Sequence, residues 1–192
     1  MIDLKVPYVE QQHDYDCWLA ALTMVVWYRR GNATAPVGHP AVLSAGEKRH
    51  EERQEVERLH DLPADDPNKI NDWERKSRLK LLPWRGLNEN EYVDLAQFNG
   101  LSAAPLPARD LFAKTGGWTS AQLDSALNDH GPLWCATSGA GFYGHAVVVK
   151  GVNAQGQVIV HDPRAGENLV WELSRFNDWL TWTPHCVLYL PA

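Results

Sequence analysis

The stretch Asp16-Cys17-Trp18-Leu19-Ala20-Ala21-Leu22-Thr23-Met24-Val25-Val26-Trp27-Tyr28-Arg29-Arg30-Gly31 decides the fold. It is apolar around most of its circumference, carries arginines in its last turn and stops at a glycine, so it predicts a buried central helix with Asp14 or Asp16 as its cap. A cysteine stands in the first turn. Unpaired N–H groups and the helix dipole favour a thiolate there, which makes Cys17 a candidate nucleophile. A lone cysteine on such a helix is more often plain core, so its company elsewhere in the chain has to decide.

That company lies near the C-terminus. His145-Ala146-Val147-Val148-Val149-Lys150-Gly151-Val152 reads as a strand entered from a glycine-rich loop, and Val158-Ile159-Val160-His161-Asp162-Pro163 as a second. Asn153-Ala154-Gln155-Gly156 between them is a turn signal, so the two predict a hairpin. A hairpin with a short turn brings its first and last residues side by side. A thiol needs a base to take its proton, and the base needs a group to hold its ring; His145 and Asp162 can supply both. Gln11, just upstream of Cys17, can offer an amide N–H to an oxyanion. His161 points to the face opposite Asp162 and is expected as a surface neighbour rather than the base.

Residues 32–118 differ in character. Ser44 to Leu62 predicts a charged helix with a thin apolar stripe, Asn88 to Asn99 a short helix, and prolines at 63, 67, 83, 105 and 107 break the rest. From Thr119 the chain is regular: a capped helix Ser120 to Leu127, a Gly131-Pro132 break, a strand Leu133 to Thr137, then the hairpin. A strand Leu169 to Trp171, a helix Ser174 to Trp182 and a closing strand His185 to Leu190 follow. The expectation is one α+β domain, with residues 1–118 a helical lobe bearing a charged insertion and 119–192 an antiparallel β lobe. Cys135 and Cys186 fall inside predicted strands and read as structural. Trp27, Trp134, Trp171, Trp179 and Trp182 read as core, whereas Trp18, Gly141, Tyr143 and Gly144 are expected to line a substrate cleft. The loop Gly139 to Gly144 fits G-x-G-x-x-G but opens a strand rather than a helix, which excludes a dinucleotide site.

At 192 residues and a net charge of −6, with no long Lys/Arg run, the chain gives no reason to expect a nucleic-acid or membrane partner. Three scattered cysteines do not make a disulfide scaffold, and one of them is left free on any pairing. His13, Cys17, Cys135, His145, His161, His185 and Cys186 lack the C-x-x-C or H-x-x-x-H spacing of a zinc site, so no metal and no cofactor are expected. No cleavable signal opens the sequence and no run reaches the ~18 apolar residues of a spanning helix, so a soluble protein made in the cytoplasm is expected.

Val6-Pro7-Tyr8-Val9-Glu10-Gln11, Asp16-Cys17-Trp18-Leu19-Ala20-Ala21-Leu22-Thr23-Met24, the His145 strand and Val160-His161-Asp162-Pro163 resemble the papain-like cysteine peptidases. The resemblance points to their bacterial branch, which includes the double-glycine peptidase domains of bacteriocin exporters and the papain-like avirulence proteases of plant pathogens. It covers about residues 5–31 and 120–190. Trp18 stands where the exporter branch usually has Gly, and Asp162 where papain has Asn. The resemblance implies a papain-like fold, with the Cys17 helix lobe packed on the antiparallel sheet. It implies Cys17 as nucleophile, His145 as general base, Asp162 as orienter and Gln11 as oxyanion donor. The expected activity is cleavage of protein or peptide substrates; the alternative is an amidase, deamidase or acyl transferase acting on side-chain or cell-wall amides. A silent peptide-binding domain is disfavoured because all four residues are present. With Cys17 so near Met1, no inhibitory propeptide is expected ahead of it. Restraint is therefore expected from a cognate inhibitor or immunity protein, as for a bacterial effector toxin delivered to another cell; the alternative is that the chain is one domain of a larger polypeptide whose other parts regulate it.

Overall fold

The computed structural model describes residues 1–12, 16–31, 33, 52, 54–81, 94, 97–138 and 144–192. Asp14, Gly141, Tyr143, most of the first half of the Ser44 to Leu62 helix and much of the Asn88 to Asn99 helix lie outside them. The elements used below are, in chain order, β1 (Ile2–Asp3), α1 (Cys17–Arg30), α2 (Asp72–Leu81), β2 (Ser102–Ala103), β3 (Arg109–Asp110), β4 (Thr115–Gly116), α3 (Ser120–His130), β5 (Leu133–Thr137), β6 (His145–Val152), β7 (Val158–Asp162), β8 (Gly166–Trp171), α4 (Leu173–Trp179) and β9 (Val187–Tyr189).

Helix α1 is buried from Cys17 through Val26 with only Leu19 half-buried, as its all-round apolar surface requires. It packs across β5, β6 and β7. Gly31 ends it in the left-handed region at φ 61°, a conformation that costs glycine nothing. At its start Asp16 takes the capping position without capping; its carboxylate accepts instead from Gln12 N–H at 3.3 Å.

The sheet that covers α1 runs β2-β9-β5-β6-β7-β8, every pairing antiparallel. The predicted hairpin is β6 and β7, with Val148 opposite His161 and a bulge between Val149 and Gly151. Strand β6 is buried at every position after His145, so it forms the middle of the core. Strand β1 joins β6 beyond the reach of β5, pairing Asp3 with Gly151 and Ile2 with Val152. Glycine is needed there: a Cβ on Gly151 would lie 2.6 Å from the Ile2 carbonyl oxygen. The sheet thus recruits β1 and β2 from the part of the chain expected to be a helical lobe.

Thr119 and Gln122 form the capping box that starts α3, which extends past the predicted Leu127 to His130. The helix expected to reach Trp182 stops at Trp179, and Trp182 takes φ 55° while its indole N–H donates to Asn177 O at 2.7 Å. The closing strand is also shorter than expected, because His185 sits at φ 64° and pairing begins at Val187. Strands β3 and β4 form a separate hairpin, tied down by Arg109, which donates to Gly116 O at 3.0 Å and Asp178 Oδ1 at 2.7 Å.

Two compact units emerge: Met1–His39 with Gly86–Ala192, and Pro40–Arg85. The second has its own small core, in which Val56 and Leu59 from the thin apolar stripe of the charged segment pack with Ile70 beyond it; residues 54–60 are helical. Arg75 grips Glu57 through two hydrogen bonds of 2.6 and 2.9 Å. No helix among the described residues is long and apolar enough to cross a membrane.

Candidate active site

His145 opens β6, where Thr137 is its cross-strand partner and the Thr137 hydroxyl donates to the His145 carbonyl at 3.2 Å. Asp162 closes β7. The hairpin sets the two side chains against each other, with His145 Nε2 2.7 Å from Asp162 Oδ1. The carboxylate is held from behind by two backbone donors, Arg164 N–H at 2.9 Å and Ala165 N–H at 3.2 Å, both on the same Oδ1. Burial pushes the Asp162 carboxyl up, but the hydrogen bond and charge of His145 together with those N–H groups outweigh it and hold the group below the usual carboxylate range.

With Nε2 committed to Asp162, Nδ1 is the ring nitrogen left for Cys17, whose side chain is near enough to act on the His145 ring electrostatically. Burial alone would lower the His145 pKa. The Asp162 and Cys17 hydrogen bonds and their charges overcome it and raise the value from 6.5 to about 9. The imidazole therefore carries both protons at neutral pH. Cys17 itself is 4 % exposed at the first turn of α1.

Gln11 is tied to the same corner at both sides. Its backbone N–H donates to Pro163 O at 3.0 Å, next to Asp162, and the following Gln12 N–H reaches the Asp16 carboxylate, next to Cys17. Cys17, His145, Asp162 and the backbone of Gln11 thus lie where the start of α1 faces the end of the β6–β7 hairpin. Gly144 is exposed directly before His145. Trp18, expected along the cleft, is only 6 % exposed; its carbonyl accepts from Trp134 Nε1 at 3.2 Å. Its ring is part of the core.

His161 corrects an expectation. Alternation along β7 does aim it away from Asp162, but it is buried rather than on the surface, because residues 2–11 cover that face: Nε2 meets Val6 O at 3.1 Å and Nδ1 accepts from Asn168 N–H at 3.0 Å. Sequence reasoning also missed Tyr8, whose hydroxyl donates to the carbonyls of Asp162 (3.3 Å) and Pro163 (3.4 Å). Its position three residues before Gln11 was the available signal. Cys135 and Cys186 are free and buried. Burial pushes the Cys135 thiol well above its usual pKa and Cys186 up to about 11.

A family model described as papain-like cysteine protease AvrRpt2 matches residues 1–181, nearly the whole chain. No curated protein matches it.

Proposed function

The chain belongs to the papain-like cysteine protease AvrRpt2 family and is a thiol hydrolase acting on protein substrates; on that premise we propose that Cys17, His145 and Asp162 are its catalytic triad and Gln11 its oxyanion donor. The 2.7 Å contact of His145 with Asp162, beside a cysteine in the first turn of α1 that acts on the same ring, carries the proposal. The Cys17 thiolate attacks the scissile carbonyl carbon, and His145 gives its proton to the departing amine as the C–N bond breaks. Water, deprotonated by the same imidazole, then hydrolyses the thioester and restores the thiolate. Asp162 keeps the ring oriented and supports its positive charge. Gln11 and the Cys17 backbone N–H stabilise the tetrahedral oxyanion. Delivery as an effector is supported by the family match; a cognate inhibitor plugging the cleft beforehand belongs to the same proposal, because an unrestrained peptidase would attack its own host.

Iodoacetamide at neutral pH separates Cys17 from the other thiols. A thiolate alkylates far faster than a thiol, and burial holds Cys135 and Cys186 protonated. Peptide mapping of the native protein is expected to find carbamidomethyl on Cys17 alone, with activity lost in step. Earlier modification of Cys135 or Cys186, or an active protein alkylated at Cys17, would overturn the assignment.

A second expectation concerns pH. The His145 proton is present below about pH 9 and lost above it, so kcat/KM falls through that range as the general acid disappears. The sign is the same for stability: the folded value lies above the ordinary 6.5, so the contribution is complete below pH 6.5 and is lost as pH rises through about 9. Asp162→Asn keeps an oxygen that can accept from the ring but removes the negative charge that helps to raise the value, while burial still lowers it. Its alkaline limb is expected to move to lower pH. A pH–kcat/KM profile with an unmoved limb would show that Asp162 does not sustain the imidazolium.

A further inference from the structure

The mechanism leaves one buried, fully engaged histidine without a task. Because a carbonyl can only accept and a backbone N–H only donate, the contacts of His161 with Val6 O and Asn168 N–H require a neutral ring with its proton on Nε2. Burial, which lowers its pKa, favours the same form. His161 and Asp162 are neighbours on β7 with side chains on opposite faces, one turned to residues 2–11 and the other to the base.

Residues 2–11 need such a hold. Their ladder with β6 is two pairs long, extended only by Leu4 N–H to Lys150 O at 2.9 Å. Buried Lys150 reinforces this end: its ammonium bonds Asp3 and, at 3.0 Å, Asn168 Oδ1. Past Leu4 the course of the chain is set by β7 and its turn: His161 takes Val6 O, Tyr8 lays its ring edge-on against His161 at 5.6 Å, and Gln11 N–H ends on Pro163 O.

We propose that His161 is a positioning residue, which fixes the oxyanion side of the site by holding residues 6–11 at the height of Asp162. The proposal rests on the reading of Gln11 as oxyanion donor. Loss of the clasp shifts Gln11 relative to Cys17 while leaving the Cys17–His145–Asp162 line in place. It therefore weakens reactions that pass through a tetrahedral oxyanion and spares those that do not.

Two probes make that distinction without knowledge of the natural substrate. Acylation of Cys17 by p-nitrophenyl acetate forms a tetrahedral oxyanion; alkylation by iodoacetamide is a direct displacement and forms none. Gln11→Ala alone is expected to slow acylation about 10²-fold and leave alkylation unchanged. His161→Leu is expected to slow acylation at least about tenfold, again with alkylation unchanged, since a displacement near 1 Å suffices for such a loss. His161→Gln, whose amide N–H can replace the donor to Val6 O, is expected to recover most of the rate. In a Gln11→Ala background His161→Leu should add nothing. Should His161→Leu fail to fold, Tyr8→Phe carries the same comparison, because it frees the Asp162 and Pro163 carbonyls from the same segment.

Losses that multiply in the double variant, or equal slowing of acylation and alkylation, would overturn the role of His161. An unchanged acylation rate in Gln11→Ala would instead remove Gln11 as oxyanion donor, and the two failures are distinct.

Discussion

Cys17→Ala is expected to lower turnover by about 10⁶-fold while the protein stays folded. Removing the nucleophile of a hydrolytic triad has an effect of that order, because the base and the orienting carboxylate have nothing left to activate. The structural cost is small. One sulfur leaves the first turn of a helix whose hold on the sheet comes from Ala20 to Val26, all buried. Truncating such a side chain costs on the order of 1 kcal/mol. Thermal melting and a peptide-cleavage assay on one preparation check both halves; cleavage near the wild-type rate would end the assignment. The same variant probes the biological setting. A bacterial host expressing the wild type, in its cytoplasm or in the compartment of delivery, is expected to grow more slowly than one expressing Cys17→Ala, and equal growth would remove the reason for a cognate inhibitor.

His145→Ala is expected to be equally severe in turnover, and the Cys17/His145 double variant no worse than either single one, since the two act as a unit. Stability separates them. Without His145 the Asp162 carboxylate, only 9 % exposed, keeps the N–H groups of Arg164 and Ala165 but loses its charged partner. Breaking such a pair from one side costs on the order of 3 kcal/mol. Denaturant unfolding at neutral pH, where imidazolium and carboxylate are both charged, is expected to show the loss for His145→Ala and not for Cys17→Ala. Additive rate losses in the double variant would indicate that the two do not cooperate.

Elements that announce themselves through period and punctuation were legible before the structure. Helix α1 has an apolar run long enough to exclude a strand and a glycine that stops it. The β6–β7 hairpin has β-branched runs on either side of Asn153 to Gly156, and the opposed His145 and Asp162 follow from that alone. What stayed hidden depends on distant partners. Strands of two residues such as β1 and β2 carry no period, and their pairing with β6 and β9 is settled by backbone approach, as at Gly151. The face of β7 that holds His161 could be read by alternation. That residues 2–11 bury it could not, because no local signal links Val6 to a histidine 155 positions away. Trp18 was misleading for a similar reason, since its place beside Cys17 says nothing of the sheet that covers it.

The shortness of the β1 ladder has a further consequence. Segments of a protein open with very different free energies, and a pairing of two residues belongs at the low end, whereas the buried β5–β6–β7 centre belongs at the high end. Residues 1–11, held beyond that ladder by the side chains of Lys150, His161 and Tyr8, are then expected to open on heating before the centre of the sheet, taking Gln11 with them. On the proposed roles, loss of activity and global unfolding become separate events: the rate falls by about the 10²-fold expected for a lost oxyanion donor, with Cys17, His145 and Asp162 still assembled.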